Sequence, residues 1–422
     1  MNETPKAARF QIGLFGRTNT GKSSLLNYIA GSDVAVTSPV AGTTTDVVEK
    51  AMELLPLGPV LWLDTGGLDD ASILGDRRRQ KTAAAFRRCD AVLLVLEAPA
   101  WGEVEDSVLK SCAEHKLPLI LVVNKTDLRR PTGEELETLR RKSPHVLAVS
   151  CRMPEGREAF LAGLKSALEK AAPEGLRQAP PLVADLVPAG GLAVFVVPID
   201  LQAPKGRLIL PQVQSIREAL DSDAAALVVK ERELAAVLGR LKVKPDLVVC
   251  DSQAVLKVTA DVPPDVPCTT FSILFARAKG DLVAAARGAG RLSRLREGDR
   301  VLIAEACTHH ALEDDIGRVK IPRWLRQYAG VSLDVSVCGG RDFPKDLSSY
   351  RLVIHCGACS LNRREMLSRL SEAGRAGVPV TNYGVAIAAL QGVAARVLEP
   401  FPAAQAAYLQ AREAGVAGRS PS

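Results

Sequence analysis

Aromatic residues are scarce in this sequence, and its charge is nearly balanced. Only 4% of the 422 residues are Phe, Trp or Tyr, and 54 basic residues face 48 acidic ones, for a net charge of +6. Single-stranded nucleic acids are bound by aromatic platforms in basic grooves, and duplexes by clustered positive charge. Neither feature is prominent here, so we expect no nucleic-acid partner.

Long hydrophobic runs are also missing. No apolar stretch reaches the roughly 18 residues that cross a bilayer. Residues 1–10 are polar and carry neither the apolar core nor the cleavage site of a secretory signal. We therefore expect no membrane association and a cytoplasmic location. Nine cysteines, an odd number, then lie in a reducing compartment, where clustered cysteines favour metal or redox sites over disulfides.

Apolar runs of strand length alternate with helical stretches along the chain. In the first part they lie at residues 10–15, 60–63, 91–96, 119–123 and 146–149. This alternation is typical of βαβ units and parallel sheets, and a Pro/Gly-rich stretch at 173–181 indicates a linker. We predict an α/β protein with three domains. They are a doubly wound sheet at 8–172, a small α/β domain at 180–262, and an α/β domain with a mostly parallel sheet at 263–412.

Residues 16–23, Gly-Arg-Thr-Asn-Thr-Gly-Lys-Ser, fit the complete P-loop pattern between a predicted strand and a predicted helix. The loop glycines, Gly16 and Gly21, let backbone N–H groups converge on phosphate oxygens, and the helix N-terminus adds partial positive charge. Lys22 is expected to reach the β- and γ-phosphates and Ser23 to bind Mg²⁺. Ser24 completes the predicted phosphate-binding group.

Two further motifs follow in the order found in GTPases. Asp64-Thr-Gly-Gly67 follows a strand, so we expect Asp64 to hold Mg²⁺ through water and the Gly67 N–H to face the γ-phosphate. Asn124-Lys125-Thr-Asp127 follows the predicted strand at residues 119–123.

The Asp127 carboxylate can accept from both N1–H and the 2-amino group of guanine, and adenine offers neither donor. Ser150-Cys151 fits the loop behind the base. Together the motifs predict GTP binding.

The GTPase motifs resemble those of the TrmE–Era–EngA-like group. Residues 39–46 are similar to its switch I signature, with Thr44 at the Mg²⁺-binding position and Thr45 in place of the usual arginine. Asn19 matches the asparagine that coordinates K⁺ in potassium-activated members, so the resemblance implies K⁺ as an activator. Leu68 occupies the place of the glutamine that orients water in Ras-like proteins. An apolar side chain cannot polarise water, so we expect slow hydrolysis. The predicted catalytic residues are Lys22, Thr44, Asp64 and Gly67.

A second group of chemically reactive residues follows two later predicted strands. Cys307-Thr-His309-His310 follows residues 301–304, and His355-Cys356-Gly-Ala-Cys359 follows residues 352–354. These stretches hold three of the five histidines and three of the nine cysteines. Ligand sites of open α/β sheets form at the carboxyl ends of strands, so the two stretches are predicted to share one crevice.

Three interpretations of this group stay open from the residues alone. Three thiolates can hold an iron–sulfur cluster, a Cys₃His set suits zinc, and Cys356-x-x-Cys359 alone fits a thiol redox pair. We prefer them in that order. His309, His355 and Glu313 are candidates for a fourth ligand or for a supporting role. An RNA-associated GTPase with a zinc module and an assembly protein with vestigial nucleotide binding are the competing functions.

From about residue 10 to residue 400 the chain resembles the [FeFe]-hydrogenase maturation GTPases of the HydF family. The combined GTPase and Cys/His motifs carry the resemblance, as do residues 205–212, 314–324 and 381–384. It implies GTPase, dimerisation and metallocluster domains in a homodimer, and a [4Fe–4S] cluster on Cys307, Cys356 and Cys359. It also implies a scaffold that works with radical-SAM maturases and delivers a di-iron precursor to apo-[FeFe]-hydrogenase.

Overall fold

The computed structural model describes residues 4–31, 48–65, 84–98, 100–171, 180–199, 205–306, 315–340, 342–344 and 346–416. The chain forms two compact units, Met1–Gln178 and Ala179–Ser422. In the described part, no helix is both long enough and apolar enough to cross a membrane.

The first unit is built on one six-stranded sheet with the order β2-β3-β1-β4-β5-β6. Its strands are β1 (Phe10–Phe15), β2 (Val48–Leu54), β3 (Gly58–Asp64), β4 (Ala91–Glu97), β5 (Leu119–Asn124) and β6 (His145–Ala148). Its helices include α1 (Lys22–Ala30), α2 (Glu103–Glu114), α3 (Gly133–Lys142) and α4 (Arg157–Ala171). All neighbouring strands pair in parallel except β2, which runs antiparallel to β3.

The central strands of this sheet are buried along almost their whole length, because helices cover both faces. β5 is buried at every residue, and β4 at all but Glu97. Alternate side chains of β4 pack into two separate hydrophobic cores. Leu93 and Val95 pack in one with α1 and α4, and Leu94 and Leu96 in the other with α2. Such continuous apolar strands are those expected of a doubly wound parallel sheet.

The second unit contains two four-stranded sheets, ordered β10-β9-β7-β8 and β12-β11-β13-β14, with parallel pairing throughout. The strands are β7 (Leu192–Val196), β8 (Ala225–Val229), β9 (Leu247–Cys250), β10 (Cys268–Thr270), β11 (Arg300–Ala304), β12 (Asp334–Cys338), β13 (Leu352–His355) and β14 (Val380–Asn382). Among the described residues, its α-helices include α5 (Leu210–Asp221), α6 (Leu234–Leu238), α7 (Val255–Asp261), α8 (Phe271–Lys279), α9 (Leu282–Gly290), α10 (Ile321–Ala329), α11 (Arg363–Arg375), α12 (Tyr383–Leu390), α13 (Ala394–Val397) and α14 (Pro402–Val416).

The two sheets of the second unit share one hydrophobic core. Val194 of the first sheet, Leu274 of α8 and Ile303 of the second sheet belong to the same buried cluster. β10 pairs with β9, so the first of these sheets takes a strand from beyond residue 262. The division into domains at 8–172, 180–262 and 263–412 stays a prediction, and its second boundary precedes the end of that sheet.

Candidate functional site

The P-loop follows β1 and occupies backbone conformations that its two glycines allow. Gly16 has a φ of +146° and Gly21 one of +88°, in the left-handed region that side chains disfavour. A Cβ at Gly16 would collide with the Val95 carbonyl, and one at Gly21 with the Asn124 side-chain amide. The loop is therefore held close to β4 and β5, and α1 begins directly after it.

The two side chains expected to serve phosphate and Mg²⁺ lie at the start of α1. Lys22 is only 7% exposed, and its Nζ donates to the carbonyl oxygens of Gly16 at 3.1 Å and Arg17 at 2.7 Å. Ser23 Oγ donates to Asp64 Oδ2 over 3.0 Å. A hydroxyl beside a carboxylate is the hard-oxygen pair that Mg²⁺ prefers, so these residues fit the ion.

The predicted base-binding residues lie at the ends of β5 and β6. Asn124 is buried, and its Nδ2 donates to Thr20 O at 2.9 Å while its Oδ1 accepts from Cys151 Sγ at 3.3 Å. Asn124 therefore braces the P-loop against the β5 end.

Ser150 Oγ donates to Asp127 Oδ1 at 2.6 Å, and this hydrogen bond is the main cause that lowers the pKa of Asp127. Asp127 is thus held as a carboxylate, the form that accepts from guanine.

These residues surround an open cleft of about 590 Å³, a volume within the range of small-molecule sites. Its lining includes Asn19, Gly21, Lys22, Ser23, Ser24, Asp64, Asn124, Lys125, Asp127 and Cys151. Most of the predicted nucleotide-binding residues therefore share one cavity. Thr44, Gly67 and Leu68 lie outside the described residues.

An ion pair that the sequence did not indicate fixes the P-loop from the side of α2. Arg17 Nε and NH2 donate to the two carboxylate oxygens of Glu105 at 2.8 and 2.6 Å. The Glu105 side chain is 1% exposed, and it also accepts from the Gly102 N–H at 2.9 Å. Burial by itself raises the pKa of Glu105, but the Arg17 and backbone hydrogen bonds outweigh it and lower the pKa.

The Cys356–Cys359 motif lies where β13 ends, next to the end of β11 in the second unit. Cys356 Sγ accepts from the backbone N–H of Ala306 at 3.1 Å and of Ala358 at 3.4 Å. Ala306 is the last described residue before Cys307. Two convergent donors favour a thiolate at Cys356, which is the form that binds metal.

Three of the predicted ligands, Cys307, His309 and Glu313, lie outside the described residues, as does the neighbouring His310. Across the described ranges alone, no group of three or more His, Cys, Asp and Glu side chains is placed to hold a metal ion.

His355 is buried behind the loop, and both of its ring nitrogens have partners. Nδ1 lies 3.0 Å from the Cys356 carbonyl, and Nε2 lies 3.1 Å from Arg369 NH1. Burial first, and then the Arg369 charge, lower the pKa of His355 to about 4. The neutral ring therefore donates from Nδ1 and accepts at Nε2. This geometry favours the supporting role over the fourth-ligand role that the sequence left open.

Lys279 is a further residue that the sequence analysis missed. Its Nζ donates to three carbonyl oxygens of the cysteine loop, those of Ala358 at 3.0 Å, Cys359 at 3.1 Å and Leu361 at 2.9 Å. Burial lowers the pKa of Lys279 to about 8, although Cys359 and Cys356 act in the opposite direction.

Three family models match separate parts of the chain. The Hydrogen maturase F dimerization domain matches residues 182–280, and the Hydrogen maturase F tetramerization domain matches residues 283–400. A domain described as 50S ribosome-binding GTPase matches residues 11–125. The chain belongs to the HydF-type GTPases. Its fold class and the family resemblance of its sequence are thereby confirmed.

Individual relatives match about a third of this HydF-type chain. The tRNA modification GTPase MnmE of Synechococcus sp. (strain JA-2-3B'a(2-13)) is 39% identical over 155 residues, which cover 36% of this chain and 33% of the relative. GTPase Der of Campylobacter hominis is 34% identical over 128 residues, 30% of this chain and 28% of Der. The HydF-type chain thus spans about a third of the length of these curated relatives.

Among solved structures, an Aquifex aeolicus Era variant bound to GDP.AlF4- is similar to part of the chain. The two are 25% identical, with 39% of this chain and 57% of that chain covered and a TM-score of 0.33.

Proposed function

We propose that this HydF-type chain is a GTP-hydrolysing scaffold that binds a [4Fe–4S] cluster during [FeFe]-hydrogenase maturation. The cluster would be held by Cys307, Cys356 and Cys359. The observation that carries the proposal is the hydrogen bond from Ala306, next in sequence to Cys307, to the Cys356 sulfur, in a chain with both HydF domains.

The nucleotide cleft supports GTP hydrolysis, and Leu68, in place of the water-orienting glutamine, is the reason to expect a slow rate. Lys22 would exchange its two loop carbonyls for phosphate oxygens, and Ser23 and Asp64 would hold Mg²⁺, which would supply charge stabilisation for the transferring phosphoryl group. Asp127 would select guanine. Thr44 and Gly67 keep the catalytic roles expected from the sequence, and Asn19, which lines the cleft, would hold K⁺.

The cysteine loop supports a soft metal centre. Cys356 and Cys359 are both partly exposed, as ligands that receive a cluster from outside must be. When bound, a [4Fe–4S] cluster with three thiolates keeps one iron open for another ligand. His309 and Glu313 stay candidates for that position, and His355 is placed to orient Cys356 through its carbonyl.

The wider biological role rests on the family resemblance. We propose that the protein is a cytoplasmic homodimer, without nucleic-acid or membrane partners, that works with radical-SAM maturases. It would carry a di-iron precursor to apo-[FeFe]-hydrogenase, with the nucleotide state controlling partner exchange. The dimerization and tetramerization domains support self-association.

Anaerobic purification with iron and sulfide analysis tests the cluster. Wild type should be brown, with about four irons and four acid-labile sulfides per chain, as one [4Fe–4S] centre requires, and its dithionite-reduced form should give an EPR signal. Cys356→Ser should lose iron and keep GTP binding. Cys338→Ser is the matched control, because Cys338 is also partly exposed and lies in the same unit. A colourless wild type with one zinc per chain would overturn the proposal, as would unchanged iron in Cys356→Ser.

Phosphate release tests the GTPase. Lys22→Ala should abolish hydrolysis and leave the iron content unchanged, because the two sites lie in separate units. Hydrolysis that survives in Lys22→Ala would contradict the assignment of the P-loop.

A further inference from the structure

A lysine far away in sequence holds the loop that carries the two cysteines. Lys279 is the last residue of α8, 79 to 82 positions before the three loop residues whose carbonyl oxygens accept from its Nζ. One ammonium group has three N–H donors, and these three contacts use all of them. The loop is therefore fastened at Ala358, Cys359 and Leu361 by a single side chain.

Apolar packing also restricts the conformation of this loop. Ala358 and Leu361 are 2% and 5% exposed and pack with Ala306 and Met366 in a small apolar cluster. Ala358 has a φ of +51°, a conformation that costs a non-glycine residue energy and needs support from its surroundings. The contacts of Lys279 supply that support at Ala358, one of the two residues between the cysteines.

The position of Lys279 is itself fixed by α8. The helix begins with a hydrogen bond from the Ile273 N–H to Thr270 Oγ1 at 3.2 Å. At its other end Arg363 donates to the carbonyl of Ala278. The Phe275 ring lies under the ammonium, with its centroid 5.4 Å from Nζ. Lys279 therefore presents its charge from a rigid support.

We infer that Lys279 is a positioning residue for the cluster: its contacts set the geometry of the Cys356–Cys359 loop, and its ammonium group keeps a positive charge on that loop. The inference rests on the proposed function. A nearby positive charge stabilises the reduced, more negative cluster, so it raises the reduction potential. The loop geometry and the charge are thus two separate contributions of one side chain.

Two substitutions separate these contributions. Lys279→Met removes the charge and the donors but keeps an unbranched chain. Lys279→Arg keeps the charge, yet its planar fork cannot donate to three carbonyls in the same arrangement. Lys257→Met is the matched control, because Lys257 is an exposed lysine of the same unit whose charge pairs with Asp261.

Three measurements on the full chain test these contributions. Hydrogen exchange of peptides from residues 352–362 is measured in metal-free protein, loss of iron to a chelator in reconstituted protein, and the midpoint potential by EPR-monitored titration. In Lys279→Met, the loop amide hydrogens should exchange and the iron should be lost at least about tenfold faster than in wild type. A tenfold change corresponds to about 1.4 kcal/mol in the free energy of loop opening. The midpoint potential of this variant should be more negative than that of wild type. Lys279→Arg should share the faster loss and keep a potential near wild type. Lys257→Met should match wild type throughout.

The outcomes distinguish this inference from the proposed function. A wild type that binds no cluster overturns both. A wild type that binds the cluster, with Lys279→Met unchanged in exchange, iron loss and potential, overturns the role of Lys279 alone. Faster iron loss with an unchanged potential overturns the electrostatic part. If Lys279→Met does not fold, as judged by circular dichroism, the Arg variant decides, and wild-type exchange and retention in it would refute the positioning role.

Discussion

Replacing Glu105 by Gln tests whether the ion pair with Arg17 holds the P-loop in place. The substitution keeps the size of the side chain and one acceptor oxygen but removes the charge. Glu105 has three hydrogen bonds to lose or weaken, two from Arg17 and one from Gly102. Since the carboxylate is 1% exposed, water does not replace them at that end.

The expected loss follows from the strength of charged hydrogen bonds and the exposure of Arg17. A hydrogen bond to a charged group contributes about 1.5–3 kcal/mol. The Arg17 side chain is 36% exposed, so water recovers part of its share. We expect a net loss of about 2 kcal/mol, which is about 30-fold in the local opening equilibrium.

Hydrogen exchange followed by mass spectrometry measures this opening in peptides from residues 10–30 and 100–115. Both should exchange about 30-fold faster in Glu105→Gln. Glu137→Gln is the control, because Glu137 pairs with Arg140 on the surface of the same unit, where such pairs contribute less than about 1 kcal/mol. Equal exchange in wild type and Glu105→Gln would refute the reasoning.

The pH dependence has a definite sign. The folded pKa of Glu105 is below its ordinary value of 4.5. Its stabilisation is therefore complete above pH 4.5 and is lost as the pH falls through the folded pKa. The difference between wild type and Glu105→Gln should be constant from pH 6 to 8 and shrink below 4.5. A difference that grows on acidification would contradict the assignment.

Three further predictions concern single side chains. Asp127→Asn should weaken GTP binding about 10- to 100-fold in calorimetry. The variant should bind xanthine nucleotides more tightly than wild type does, because the new amide can donate to their C2 oxygen. Unchanged GTP affinity would exclude Asp127 from base recognition. Asn19 has a φ of +66°, so Asn19→Gly removes the side chain without backbone strain; its phosphate release should be equally slow in K⁺ and Na⁺, and retained K⁺ stimulation would argue against Asn19 as the K⁺ ligand. His355→Gln can still accept from Arg369 and donate to the Cys356 carbonyl, so its iron content should stay near wild type, whereas a loss as large as that in Cys356→Ser would identify His355 as a ligand.

The nucleotide cleft was predictable because its chemistry is local in sequence. Each motif is a short stretch at the end of an apolar strand, and parallel strands bring such ends to one edge. The strand β2 was missed because its polar residues, Glu49, Lys50 and Glu53, interrupt the apolar run. It lies at the edge of the sheet, where one side needs no strand partner and burial is partial.

The supporting contacts could not be predicted from the sequence. Arg17 and Glu105 are 88 residues apart, and Lys279 is about 80 residues from the cysteine loop. A lysine at the end of an apolar helix has the same sequence pattern whether it caps carbonyls or faces water. Only the packing of α8 against the second unit's shared core decides between the two. The arrangement of Cys307 stays a prediction.

The helix α8 connects the two segments of the chain that are matched by separate family models. It begins directly after β10, in the segment matched by the dimerization domain. Its last residue, Lys279, donates hydrogen bonds to the cysteine loop, in the segment matched by the tetramerization domain. Over nine residues it is a stiff strut about 13 Å long. A shift of β10 on subunit association would therefore move Lys279, which holds the Cys356–Cys359 loop. If association shifts β10 and the proposed cluster binds, assembly and metal uptake would be thermodynamically coupled: filling the site would alter the association constant by the same factor by which association alters filling.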